Sequence, residues 1–301
     1  MSTQFRTYQN DVLLGGDYRR LRDFLIGLDS HNYHFGRWDW MITHSMLDPI
    51  GLPKIGLWEE GGAIVAAATY DCVLGKAYLL ADPQHRHLAG EMLAYARDAL
   101  VKDGAFSVLI LDGDTALQDT AARSGFVPTQ EKECDAVFPI AANSIRYALP
   151  EGFSVVSLQE RPDAFEFGRV LWKGFNHEAK GEGAFDPSDV ELSALKAELF
   201  RDNVDLSLKI AAIAPDGHFA SFCGMWQDAR SQSALVEPVA TDPAYRRMGL
   251  GRAVVLEAIR RCGERGAKRA FVGSSQQFYY SIGFRPYATS TWWSMKNKER
   301  H

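Results

Sequence analysis

The chain is short of several things, and each shortage removes a class of function. Only four cysteines occur in 301 residues (Cys72, Cys134, Cys223 and Cys262), far apart and with no Cys-x-x-Cys pair. They leave no disulfide framework to build on and read as free, mostly buried thiols in a reducing compartment. No basic excess exists: 33 Lys and Arg face 38 Asp and Glu, for a net charge of −5. A chain built to coat nucleic acid would carry the opposite balance, although one local basic loop can still serve a phosphate. No run of about 18 apolar residues is present, so nothing in the sequence spans a membrane. The opening "MSTQFRTYQN" has no apolar signal core, which makes the cytoplasm the expected location. The Gly-Lys-Ser/Thr of a nucleotide-binding P-loop is missing as well. What remains is an ordinary globular composition, 46% apolar and 24% charged, long enough for one large or two medium domains.

What is there is a pattern written twice. Residues 81–126, "ADPQHRHLAGEMLAYARDALVKDGAFSVLILDGDTALQDTAARSGF", match residues 241–284, "TDPAYRRMGLGRAVVLEAIRRCGERGAKRAFVGSSQQFYYSIGF". Each begins with Asp-Pro, runs into a helical period, passes Gly-Ala before a strand-like stretch, and closes a short helix with Gly-Phe. Upstream, "KIGLWEEGGAIVAAATY" (54–70) and "KIAAIAPDGHFASFCGMW" (209–226) both read as strand, turn, strand. Further upstream, residues 17–28 and 161–175 carry apolar residues at helical intervals. One fold is therefore used twice. Pro150 and Gly152 interrupt the chain before a new strand, "FSVVSL", and place the expected boundary near residue 148, giving domains 1–148 and 149–301.

The second copy contains "RRMGLGRAVV" (246–255) between a buried strand ending at Asp242-Pro243 and an amphipathic helix. That helix puts Leu250, Val254, Val255, Ala258, Ile259 and Cys262 on one face. A helix N-terminus has amides without partners and a partial positive charge. Gly249 and Gly251 allow close backbone approach, and Arg246, Arg247 and Arg252 add formal charge. A pyrophosphate suits the loop better than one carboxylate. The dinucleotide fingerprint is excluded because Val254 stands where its third glycine belongs. The alternative is an ordinary left-handed turn ahead of a buried helix.

These residues resemble the Gcn5-related N-acetyltransferase (GNAT) superfamily over residues 205–284. Arg246, Gly249 and Gly251 match its Gln/Arg-x-x-Gly-x-Gly/Ala loop, and Tyr279 ahead of Gly283-Phe284 matches its closing motif. The resemblance implies an α/β (α+β) fold of two tandem GNAT-type domains, each a mixed, mostly antiparallel sheet flanked by helices. The duplicated layout is similar to tandem members such as mycothiol synthase. It implies acetyl-CoA as co-substrate, held by Val239, Ala240, Thr241, Arg246, Arg247, Met248, Gly249, Leu250, Gly251 and Arg252, and no metal. The first copy departs from the motif. Ala89 and Glu91 stand opposite Gly249 and Gly251, and Ala121 stands opposite Tyr279. The N-terminal copy thus reads as a degenerate domain that has kept the fold and lost the coenzyme, with catalysis in the C-terminal copy.

Direct acetyl transfer to an amine makes three physical demands. The amine must shed a proton although its free pKa is near ~10.4. The tetrahedral intermediate needs fixed N–H donors. The departing thiolate benefits from a proton. Glu237 is the candidate base, acting through water, and reads equally as a strand-edge glutamate facing solvent or an arginine. The backbone of Val239–Thr241 is where the resemblance implies that the strand splays and frees N–H groups. Tyr279 is the candidate acid, with Tyr280 its adjacent rival and a core aromatic role the alternative.

Other features carry less. "HRH" (85–87) invites a metal reading but has no third ligand, and "WKGFNHE" (172–178) ends in His177 and Glu178, which reads as a solvated helix end or as part of an acceptor pocket. "GRWDWM" (36–41) reads as packed aromatics at the domain junction, and Trp292 and Trp293 as core. The expectation is a cytoplasmic N-acetyltransferase acting on a small primary amine, as a monomer or homodimer, with no nucleic-acid or membrane partner. Two other classes stand beside it: a non-catalytic acyl-CoA sensor and an aminoacyl-tRNA-dependent peptidyl transferase on the same duplicated fold.

Overall fold

The computed structural model describes residues 2–9, 12–141 and 144–295. Along the chain run β1 (Gln4–Thr7), α1 (Gly16–Leu28), α2 (Phe35–Thr43), β2 (Gly56–Glu60), β3 (Ala63–Asp71), β4 (Val73–Ala81), α3 (Ala89–Ala99), β5 (Ser107–Leu111), α4 (Thr115–Arg123) and β6 (Phe126–Pro139). The second copy follows with β7 (Ser154–Ser157), α5 (Ala164–Gly174), α6 (Asp189–Leu199), β8 (Lys209–Ile213), β9 (Phe219–Gln227), β10 (Ser233–Thr241), α7 (Leu250–Glu264), β11 (Arg269–Val272), α8 (Gln277–Ile282) and β12 (Arg285–Met295).

Two compact units result. The first holds the chain up to Ala136 with 273–275 and Pro286 onward; the second holds Val137–Val272 and Gln276–Arg285. In the first unit the order is β1-β2-β3-β4-β5-β12, antiparallel except for the parallel pair β4·β5. In the second it is β7-β8-β9-β10-β11, antiparallel except for β10·β11. Each unit is a mixed, mostly antiparallel sheet with helices, the α/β class expected from the repeat. Local chemistry sets the boundaries. Gly61 and Gly62, both at positive φ, make the β2–β3 turn. The Asp163 side chain accepts from the Glu166 N–H to start α5, and Ser188 with Glu191 forms a reciprocal cap on α6.

The first core closes around Trp38, Trp58, Tyr8 and Trp292, each nearly inaccessible to solvent. Trp38 packs on Tyr8 and stacks on Tyr18, so the "GRWDWM" aromatics serve the interior of one unit. In the second, Phe167, Val170, Phe219 and Phe222 pack beneath α5, and all six apolar α7 residues named above are buried. All four cysteines are free. Among the described residues, no helix is long and apolar enough to cross a membrane.

The division differs from a boundary at residue 148. The chain passes to the second unit at 136–137, inside β6, and returns to the first for β12. The cause is Trp292. Its ring lies 5.5 Å from Tyr78, its indole N–H donates to Glu133 at 3.1 Å, and β12 pairs along β5 from Ser290↔Leu111 to Ser294↔Ser107. Pro150 and Gly152 mark only the turn into β7, where the Phe153 N–H bonds the Pro150 carbonyl.

Candidate active site

Strand β10 carries the site because it is paired unequally on its two sides. Against β9 its ladder runs to Thr241↔Ser221; against β11 it stops at Leu235↔Phe271. From Val236 to Thr241 the β11 side of β10 is therefore unpaired, and the strands diverge. Glu237 and Pro238 lie at a register shift between Val236 and Val239. Proline has no N–H to give the ladder, so it interrupts pairing there. Across the pair, Gly224 makes room: a Cβ on it would sit 2.4 Å from the Glu237 carbonyl oxygen. That close approach seats the half-buried Glu237 at the mouth of the divergence.

Thr241 is fixed by its hydroxyl, 2.8 Å from Ser221 Oγ, which itself donates to the Ala240 carbonyl. The next residue, Asp242, is buried and begins the loop. Its side chain accepts from Ala244 N–H and from Arg169 at 3.2 Å, with Lys173 Nζ at 3.7 Å. Arg169 also holds Glu166, which accepts from the Phe219 N–H and lies 2.9 Å from His218 Nδ1. Burial pushes the Glu166 pKa up, but the bonds from Arg169, Phe219 N–H and His218 outweigh it and hold it below the usual carboxylate range. This buried network ties the loop to α5.

The loop then turns through Arg247 (φ 67°) and Gly249 (φ 82°), both left-handed, and delivers the α7 N-terminus. The first-turn amides of Leu250, Gly251 and Arg252 have no partner within the helix. Nothing stands within 4 Å of a Cβ on Gly249, so the backbone there faces open space. Gly251 is different. A Cβ on it would meet Thr241 Oγ1 at 3.1 Å and Phe278 at 3.4 Å, so this glycine lets α7 pack closely on β10. Leu250 is buried, which leaves only its amide for a ligand.

The arginines divide in the same way. Arg246 is committed to protein groups: it donates to the carbonyls of Thr241 (3.2 Å) and Gly174 (2.9 Å) and to Asn176 Oδ1 (2.8 Å). It latches α5 to β10, helped by Gly174, whose absent Cβ would lie 2.6 Å from Ala240 Cβ. Arg252 reaches the Ser281 carbonyl at 3.3 Å. Arg247 is exposed and makes no hydrogen bond or ion pair among the described residues, and Met248 beside it is exposed too.

Helix α8 places Tyr279 inside, 8% exposed, with its ring against Phe278 and Phe284. Burial first, then the nearby Cys223 and Glu237, push its pKa well above the ordinary phenol value. Cys223 and Glu237 are both near enough to act on the phenol electrostatically. Tyr280 is half-buried on an adjacent face. Gly283 ends the helix at φ 117° with no room for a side chain against Phe138. Elsewhere, His177 stacks on Trp172 at 4.3 Å and lies 2.8 Å from Glu182, and Glu178 pairs with Lys173. Reasoning from sequence missed Gly174, Asn176 and Gly224. A glycine in the last turn of a helix and one inside a strand were the available signals of close backbone approach.

This arrangement can be set beside known proteins. Residues 176–284 match the model of the acetyltransferase (GNAT) family. A tandem GNAT protein from the clavulanic acid biosynthesis pathway superposes with a TM-score of 0.61 at 14% identity, covering 97% of this chain and 98% of that one. The fold is that of the GNAT acetyltransferases. A GNAT-family acetyltransferase from Colwellia psychrerythraea gives 0.57 at 11% identity (97% and 100% covered), and a GCN5-related N-acetyltransferase from Sphaerobacter thermophilus gives 0.53 at 15% (97% and 95%). None of the curated proteins matches the chain.

Proposed function

We propose that the second unit is an acetyl-CoA-dependent N-acetyltransferase acting on a primary amine of a small molecule, and that the first unit is a degenerate copy. The observation that carries this reading is the divergence of β10 from β11 beside the N-terminus of α7. It offers the strand N–H groups of Val239 and Thr241, which alternate away from β9, to an amide-rich arm and helix amides at Gly249–Arg252 to a pyrophosphate. Arg247 is the arginine free to add charge there, while Arg246 holds the walls of the site together. The match of residues 176–284 to an acetyltransferase family model supports the same assignment.

The chemistry follows from the neighbours. Glu237 takes a proton from the incoming ammonium through water, and the neutral nitrogen attacks the thioester carbonyl. Strand N–H groups hold the oxyanion, the C–S bond breaks, and the thiolate takes up the second proton lost by the nitrogen. Tyr279, its pKa raised, stays protonated at neutral pH. A phenol is a weaker acid than a thiol, so its part is to donate a hydrogen bond to the leaving sulfur. Cys223 is no acyl carrier: it is fully buried, and burial holds its thiol protonated. Transfer is therefore direct.

The testing experiment is a primary-amine panel with acetyl-CoA, monitored by release of free CoA. Release that depends on an amine and on Glu237 supports the reading. Coenzyme binding with no release to any amine would make the chain an acyl-CoA sensor instead.

A further inference from the structure

The first unit keeps a cavity of about 330 Å³ at the end of β4 and β5, within the size range of small-ligand sites. Leu79, Leu80, Leu109, Leu111, Leu117 and Met92 make most of its wall. Its mouth lacks what a pyrophosphate needs. The residue before α3, Leu88, is right-handed and offers no side-chain cap, and the chain enters the helix with no left-handed turn. Glu91 in the first turn is held by Trp58, whose indole N–H donates to it at 2.7 Å. Two polar groups on the rim are uncommitted among the described residues: the exposed guanidinium of Arg86 and the carboxamide of Asn32. The other ionisable groups on the wall are already engaged. His31 lies 3.0 Å from Asp135, and Asp114 caps α4 by accepting from Leu117 N–H.

We propose that this cavity binds an aliphatic monocarboxylate, its chain among the leucines and its carboxylate on Arg86 with Asn32 beside it. Among the described residues Arg86 is the only arginine or lysine on the wall, and a guanidinium pairs with a planar carboxylate through two parallel bonds. A slot lined by leucines and a methionine gains from burying methylenes, which favours an apolar tail. The site does not depend on the activity proposed for the second unit.

The test uses the full chain saturated with acetyl-CoA and titrates octanoate by calorimetry. Binding of one octanoate per chain is expected, weakening about fourfold for each methylene removed from the tail. Octanol should bind more weakly than octanoate, and octylamine more weakly still. Arg86→Glu lies on the exposed surface and should leave thermal unfolding unchanged; it should weaken octanoate at least tenfold and octanol less than threefold. Arg86→Lys should recover part of the loss. Absent binding, indifference to chain length, or equal loss of octanoate and octanol in Arg86→Glu would overturn the proposal. Octanoate binding that is present without coenzyme and lost at saturating acetyl-CoA would assign the cavity to the coenzyme and overturn it as well.

Discussion

The two units follow the same plan and differ at the positions that bear on the proposed site. In each, one parallel pair of strands opens toward a helix that follows an Asp-Pro loop. In the first unit β4 stays paired with β5 through Tyr78, so that Leu79–Ala81 pair only with β3; in the second β10 leaves β11 after Leu235, so that Val236–Thr241 face β9 alone. The wider opening coincides with Glu237-Pro238, where the first unit has Ala77-Tyr78. The loops differ too. Gly249 gives a left-handed entry into α7, while α3 is entered through right-handed Leu88 and Ala89. Tyr279 faces a carboxylate and a thiol, whereas its counterpart Ala121 is a buried methyl. Both units build the same kind of sheet although these positions differ. An interrupted ladder, a turn and two polar side chains are the differences that bear on the proposed site.

The comparison can be broken most severely at Glu237. Glu237→Gln keeps size and removes the base, and positioned acid–base groups contribute roughly 10²–10⁴-fold, so kcat should fall by that order with coenzyme affinity nearly unchanged. Normal turnover under conditions where chemistry limits the rate would remove Glu237 from the mechanism. Tyr279→Phe should cost at least tenfold in acetyl transfer by stopped-flow, and Tyr280→Phe less. A crippled Tyr280→Phe beside a healthy Tyr279→Phe would mean that the motif register is off by one. Placing a phenol in the first unit by Ala121→Tyr should give that unit no activity.

The ionic networks offer a test of stability. Arg169→Met removes the guanidinium shared by the buried Glu166 and Asp242 and leaves them only His218 and Lys173 as basic neighbours among the described residues, so it should cost about 1.5–3 kcal/mol. In the first unit Arg6 bridges Asp17 and Glu59 but is more exposed, and Arg20 remains beside both acids, so Arg6→Met should cost about 1 kcal/mol. Urea unfolding of the two variants compares them directly, and equal losses would contradict the account. Gly224→Ala should cost about 1–3 kcal/mol by pushing on the Glu237 carbonyl, and should lower activity along with stability. The smallest effect is on pH. Glu166 and Glu257 both titrate below their ordinary values. Carboxylates with depressed folded pKa values stabilise above the unfolded pKa, so that contribution disappears as pH falls below about 4.3. Thermal unfolding followed from pH 7 down through that window should show Tm flat at first and then falling; a Tm that rose in the acid limb would reverse the sign.

How much of this was legible in the sequence depends on whether the information was local. Asp-Pro, Gly-x-Gly and Gly-Phe announce the copied fold because each is a turn whose backbone demands those residues. The amphipathic face of α7 was readable for the same reason, from periodicity alone. The allegiance of β12 was not: "TSTWWSM" reads as a strand, but which sheet it joins is decided by Tyr78 and Glu133, far away in sequence. The charge of Arg246 and the flexibility of Gly251 are visible in a string of letters, but their packing roles are not. Their partners, Gly174, Asn176, Thr241 and Phe278, became visible only with the fold.

The central claim is that a single unit carries the coenzyme site, and the stoichiometry of coenzyme binding measures it. Calorimetric titration of the full chain with CoA should give one site per chain, and Arg247→Glu at the α7 mouth should weaken it while Arg86→Glu at the equivalent loop of the first unit should not. Two equivalent sites, or one site that responds to Arg86→Glu and not to Arg247→Glu, would contradict the account.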